Sequence, residues 1–184
     1  VGALGTVELN RQLQQVLNPP SPQKTEFKFG SSIFREGDKV MQIRNNYDIV
    51  WSRDDGDEGM GVFNGDIGVI EMIDRPSQSI LVRYDDRMAQ YVFDMADELD
   101  LAYAITVHKS QGSEFESVVM PLMGYHSKLH YRNLLYTGVT RAKKRLILLG
   151  QASTVARMVQ NDKKTLRYTN LKTYLIQAAG HGEG

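Results

Sequence analysis

Between residues 48 and 98 the hydrophobic period of the chain shortens. VFNGDIGVIEMI carries an Asn64-Gly65 turn signal ahead of a β-branched run, SILVRYDD is a second run, and AQYVFD follows a turn at Asp85-Asp86-Arg87. Three or more short strands in about fifty residues can satisfy their backbone groups only by pairing with one another, so they predict a small β-barrel with its own core. The flanks read differently. GTVELNRQLQQVLNPP is a helix pattern with Thr6 as N-cap, Leu9, Leu13, Val16 and Leu17 on one face, and Pro19-Pro20 as the stop. DKVMQIRN then alternates as a strand over 39–44. From Leu101 onward strands and helices alternate: LAYAITV, SVVMPLM and KRLILLG as strands, HYRNLLYTGVTRA and STVARMVQ as helices. The expected fold class is therefore α/β, a mostly parallel sheet covered by helices, with a barrel inserted at 48–98. WSRDDGDEGMG, at the start of the insert, reads as a mobile, solvated acidic loop whose carboxylates match no calcium-loop spacing.

A formal net charge of zero over 184 residues conceals a division. Residues 1–100 carry 10 Lys+Arg against 18 Asp+Glu, whereas residues 101–184 carry 12 against 4. Such a split is compatible with a polyanion-binding surface in the second half, and equally with a solvated charged face. With no cysteine, disulfides and thiolate metal sites are excluded. No apolar run approaches the roughly 20 residues of a membrane span. The chain opens on Val1, as expected of a segment from a longer protein.

Polarity concentrates at TVHKSQGSEFESV, Thr106 to Val118, between two strand-like runs. Ser110 and Ser113 lack the G-x-S-x-G elbow of a nucleophile. His108 has no obvious ligand partners in His126 or His130, so no metal site is expected. Lys109, the hydroxyls of Thr106 and Ser110, and the backbone N–H groups near Gly112 suit anionic oxygens, although a capped helix start would use the same residue types. A second segment, RNLLYTGVTRAKKRLILLG, places Leu134, Leu135 and Val139 on a helix face and Arg141 near its end.

Together, TVHKSQGSEF and YTGVTRAKK resemble motifs V and VI of superfamily 1 helicases, closest to the RecD-like branch. GTVELNRQLQ, GDKVMQIRNNYD and FNGDIG are similar to segments of the same branch in the same order. The resemblance implies a second RecA-like motor domain, residues 1–47 and 99–184, interrupted by an SH3-type barrel at 48–98. It further implies that Thr106, His108, Lys109 and Ser110 face single-stranded DNA, that Gly112 and Glu114 approach ATP, and that Arg141 is an arginine finger. Gln42, Asn45 and Tyr47 are further candidates for DNA contact. No G-x-x-x-x-G-K-[ST] occurs in the sequence, so the phosphate-cradling loop would belong to a first RecA-like domain outside it. The implied setting is a cytoplasmic, bacterial-type DNA helicase of repair or recombination. It would use ATP with Mg²⁺, and nuclease-complex subunits are possible partners, a membrane is not. The helicase part of a conjugative relaxase and a non-enzymatic nucleic-acid-binding module are the alternatives.

Overall fold

The computed structural model describes residues 5–123 and 129–162; His126 lies outside them. The chain divides into two compact units, Val1–Pro121 with Thr137–Leu149 and Leu122–Tyr136 with Gly150–Gly184.

The first unit opens on helix α1 (Thr6–Leu17), capped by the extended backbone of Gly5 without a side-chain bond, so Thr6 is the first helical residue and not the cap. The face expected to be buried is also different. Val16 and Leu17 are exposed and Leu9 and Leu13 half-buried, whereas Asn10, Gln14 and Asn18 are buried. Four-residue spacing still puts these three side chains on one face. Their amides are buried because each finds hydrogen-bond partners there, the condition under which burying a polar group is tolerated.

A hairpin of β1 (Glu26–Phe29) and β2 (Ser32–Arg35) follows, paired from Glu26 opposite Arg35 to Phe29 opposite Ser32. A seven-stranded sheet comes next, built from β3 (Lys39–Gln42), β4 (Asn46–Arg53), β5 (Glu58–Val62), β6 (Ile67–Asp74), β7 (Ser79–Tyr84), β8 (Arg87–Val92) and β9 (Leu99–Leu101). Its order is β5-β4-β8-β7-β6-β3-β9 and its neighbouring strands are antiparallel. Register shifts between Asn46 and Val50 and between Ile70 and Met72 bend the sheet over its core. Period-two alternation places Ile80, Val82 and Tyr84 of β7 inside, beside Ala89 and Tyr91 of β8. Gly65, at φ +100°, makes the turn before β6 that a side chain would strain. The sheet reaches beyond 48–98 on both sides, since β3 and β9 pair within it and Phe34, Val40 and Leu99 join its core.

Two expectations are corrected here. The acidic stretch at 51–61 is not a loop: β4 and β5 pair through Trp51 opposite Gly59, leaving only residues 54–57 as the turn. Its aspartates misled because hairpin pairing is a property of two strands, not of one segment's charge. LAYAITV is not a strand beyond Leu101; residues 102–106 are irregular and 107–112 form turns.

The carboxylate of Glu36 accepts the backbone N–H groups of Thr25 and Ile73, each at 2.9 Å, joining the residue that precedes β1 to β6. Burial pushes its pKa up, but these donors outweigh burial and hold it below the ordinary value of 4.5. A depressed carboxylate pKa adds stability above the unfolded-state value that is lost as pH falls through the folded-state value. Melting temperature should therefore decline on acidification below that ordinary value, and Glu36→Gln should flatten the decline. Parallel curves for the two proteins would show that these bonds contribute nothing.

Beyond the sheet lie β10 (Phe115–Leu122), α2 (Arg132–Val139), β11 (Ala142–Gly150) and α3 (Ala152–Gln160). Among the described residues, the sheet after Leu101 is the two-stranded β10–β11 pair, smaller than the mostly parallel sheet expected there. The boundary between the units falls within α2. In the second unit, Arg132 donates from Nε to the carbonyl of Val159 at 2.6 Å, placing a cation at the C-terminal end of α3. Asn161, just past that end, donates to the carbonyl of His130 at 2.7 Å.

Candidate nucleotide and nucleic-acid interface

The polar stretch is a compact turn structure held by its own backbone. Ser110 N–H donates to the carbonyl of Thr106 (3.1 Å), Gln111 N–H to His108 (3.3 Å) and Ser113 N–H to Ser110 (3.1 Å). Side chains reinforce these turns: Lys109 N–H donates to Thr106 Oγ1 at 3.2 Å, and Ser110 Oγ donates to the carbonyl of Val107 at 2.8 Å. Ser110 is consequently buried, 6% exposed, and stabilises the turn from within. Thr106, His108 and Lys109 are exposed. Gly112 sits at φ +87° with open space where a Cβ would be, so backbone conformation and not crowding calls for glycine.

Arg141 joins this turn from 28 residues away. Its Nη1 donates to the carbonyl of Ser113 at 3.0 Å, Nε to that of Thr137 at 3.1 Å, and Nη2 to Thr140 Oγ1 at 3.2 Å. Phe115 N–H in turn donates to the carbonyl of Arg141 at 2.8 Å, where β10 begins. Among the described residues these three acceptors of the guanidinium are neutral, so they orient its charge without cancelling it. Such an arrangement suits a cation that must meet a developing negative charge. Glu114 is exposed and lies 3.5 Å from Lys143, and Glu116 lies 2.7 Å from Lys144. These pairs partly neutralise the basic run that follows Arg141.

Lys109 Nζ stands 2.9 Å from Asp100 Oδ2, with both side chains substantially exposed. A pair of this kind contributes about 0–1 kcal/mol, so the lysine is cheaply released to another anion. Lys109 and Thr106 border a cleft of about 70 Å³ shared with Thr6, Asn10, Asp100 and Ala104.

The barrel candidates are placed differently from one another. Gln42 faces inward and is fully buried: its Nε2 donates to Glu98 at 2.8 Å and its Oε1 accepts from the Tyr91 hydroxyl at 3.0 Å. Asn45 is exposed and its Oδ1 accepts the N–H of Asn64 at 2.9 Å. Tyr47 is 65% exposed and meets Phe63 edge-on at 5.6 Å between ring centroids. Phe63, itself exposed, went unnoticed in the sequence because it opens a turn instead of a periodic run. Asn10 and Asp38 were also missed, although Asn10, Gln14 and Asn18 repeat every four residues and advertise a polar helix face. Among the described residues, no group of three or more His, Asp or Glu side chains is arranged to hold a metal ion. None of the described helices is long and apolar enough to cross a membrane.

Comparison with known proteins matches two family models to successive parts of the chain. The family model of the ATP-dependent RecD-like DNA helicase SH3 domain matches residues 9–84, and that of the UvrD-like helicase C-terminal domain matches 101–149. The ATP-dependent RecD2 DNA helicase of Deinococcus radiodurans is 32% identical over 152 residues, which is 83% of this chain and 19% of that protein. The RecBCD enzyme subunit RecD of Mycolicibacterium smegmatis is 29% identical over 177 residues, 96% of this chain and 28% of the subunit. A second RecD subunit, from Haemophilus influenzae, is 32% identical over 112 residues, 59% of this chain and 16% of the subunit. The chain thus spans less than a third of the length of these relatives. With an SH3-domain match ahead of a helicase C-terminal match that contains both the polar stretch and Arg141, the chain belongs to the RecD-like DNA helicases, as a C-terminal portion of one.

Proposed function

We propose that this chain is the C-terminal motor portion of an ATP-dependent helicase that grips single-stranded DNA with the turn at 106–110 and senses nucleotide through Arg141. The observation that supports the proposal is the bond from Arg141 to the Ser113 carbonyl, which ties Arg141 to the turn that carries Thr106, His108 and Lys109. In this reading residues 1–47 and 99–184 supply the second RecA-like domain around the barrel segment 48–98, with β3, β9 and the start of β4 given over to the barrel sheet. ATP with Mg²⁺ would lie against Gly112, Glu114 and Arg141, and the phosphate loop would come from a first RecA-like domain. ATP supplies a phosphoryl group whose charge rises during transfer, and Arg141 stands ready to stabilise it. Thr106, His108 and Lys109 form the DNA face, while Ser110 shapes the turn that presents them. Asn45 and Tyr47 extend that face onto the barrel; Gln42 is left out because its amide is spent on Glu98 and Tyr91. A cytoplasmic setting in DNA repair or recombination, alone or with nuclease-complex subunits, follows from the same reading.

Lys109→Ala in the full-length protein tests it. One lost phosphate contact should reduce the salt slope of single-stranded DNA binding by about 0.7 log unit per log unit of salt. The KM for ATP should hardly change. Anisotropy titrations at several salt concentrations measure the slope, and an unchanged slope would remove Lys109 from the DNA face.

A further inference from the structure

Segment 101–104, which leads into the polar turn, leaves the sheet after Leu101, with Ala102 N–H still donating to the carbonyl of Lys39 on β3 at 2.8 Å. Beyond that bond it is held by side chains distant in sequence. Asn10 Nδ2 donates to the carbonyls of Leu101 (2.8 Å) and Ala104 (2.9 Å), and Ala104 N–H donates to Asn10 Oδ1 (2.7 Å). One carboxamide therefore fixes the segment by three bonds. A second anchor comes from Tyr103, whose hydroxyl donates to Asp38 Oδ1 at 2.9 Å. Asp38, with no exposed surface, also accepts from Gln14 Nε2 (2.6 Å), Asn18 Nδ2 (2.7 Å) and the N–H of Arg35 (2.7 Å). Asn10 and Gln14 form the buried face of α1 and Asn18 caps its C-terminal end, so one helix carries the first anchor and braces the second.

We propose that α1 is a positioning helix for the DNA-gripping turn, with Asn10 and Asp38 as positioning residues that act through segment 101–104. The inference rests on the reading of the turn at 106–110 as a DNA grip. An apolar helix face would bury as much surface but would leave the backbone groups of Leu101 and Ala104 to water, and the turn would then inherit the mobility of its approach. Bidentate pairing of a carboxamide with a backbone N–H and C=O orients the chain in a way that dispersion contacts do not. Burial and the adjacent Asp38 push the Tyr103 pKa up to about 12, so its hydroxyl keeps its proton for this bond at any working pH.

The test joins a readout on the 184-residue chain to one on the full-length protein. Asn10→Ala should speed amide hydrogen exchange at Ala104 by about tenfold or more, the equivalent of one lost buried hydrogen bond. Amides in β7 and β8 should keep their protection. In the full-length protein the same substitution should weaken single-stranded DNA binding severalfold and raise the DNA concentration needed for half-maximal ATPase, with KM for ATP and DNA-saturated kcat retained. A variant that was merely less folded would lower kcat instead. Asn10→Asp keeps the acceptor for Ala104 N–H and loses the donor, so it should protect the Ala104 amide while still weakening DNA binding. Tyr103→Phe, which keeps the ring and removes one hydroxyl, should act in the same direction and more weakly, and it remains informative if the Asn10 variants fail to fold. Unchanged exchange at Ala104 would overturn the inference. So would unchanged DNA affinity in Asn10→Ala and Tyr103→Phe where Lys109→Ala weakens it. If Lys109→Ala has no effect on DNA affinity, the grip reading itself fails, and with it the role assigned to α1, whatever the exchange data show for the anchor.

Discussion

Replacing Arg141 by alanine in the full-length helicase is expected to lower DNA-stimulated ATP hydrolysis by about 10³–10⁵, the usual effect of an arginine that meets the transferring phosphoryl group. Affinity for single-stranded DNA should stay nearly intact. The geometry behind this expectation is specific: three neutral acceptors, the carbonyls of Ser113 and Thr137 and the hydroxyl of Thr140, orient the guanidinium without neutralising it. Lysine should rescue little, because an ammonium is a point charge without the planar fork that reaches several acceptors together. Arg141 also ties two segments together, so the melting temperature of the alanine variant must be measured beside its turnover rate. A loss of turnover in a folded protein that still binds DNA supports the finger. Loss of DNA binding with full turnover would instead make Arg141, Lys143, Lys144 and Arg145 a DNA-binding patch, despite the pairing of Lys143 with Glu114 and of Lys144 with Glu116.

The second large effect concerns the barrel. Tyr91 on β8 is fully buried, and its hydroxyl lies between the Tyr84 hydroxyl (2.8 Å) and Gln42 Oε1 (3.0 Å). Burial raises the pKa of both tyrosines, so neither ionises under ordinary conditions. Tyr91→Ala should cost about 3–5 kcal/mol, the range for emptying a large aromatic site in a core. Tyr91→Phe keeps the ring but leaves Gln42 and Tyr84 short of a partner, at about 1–3 kcal/mol. Trp51, the one tryptophan, lies on β4 of the same sheet, so its fluorescence during urea unfolding reports this region. Equal, small losses for the two variants would mean that Tyr91 is not a pillar of this core. Because Gln42 also holds Glu98, and Glu98 accepts from Asn46 at 3.0 and 3.1 Å, both variants should loosen the connection that carries Asn45 and Tyr47.

Much of the site was legible because its residues are close in sequence. The turn at 106–113 is made of bonds spanning three or four residues, and hydroxyl, lysine and glycine types betray such turns locally. Strands β6, β7 and β8 were legible for a similar reason: a half-buried strand writes its inner face into every second residue. Gln42 is a candidate for DNA contact in the sequence because it belongs to a polar cluster at a strand end. Its burial depends on Tyr91 and Glu98, which are 49 and 56 residues away.

Readable from the sequence alone were the short-period barrel strands, the helices within 130–142 and 153–160, the two motif segments and the family they mark. Local steric preference and hydrophobic period are properties of a few consecutive residues, so they survive without knowledge of the fold. Long-range packing is what makes α1 bury amides and leave Val16 and Leu17 outside, folds the acidic stretch into a hairpin, and docks Arg141 on Ser113. Each of those outcomes turns on whether a polar group finds a partner from a distant part of the chain. Asn10 is apt for burial only because the carbonyls of Leu101 and Ala104, 91 and 94 residues away, are waiting for it, and unpaired it would be driven to water.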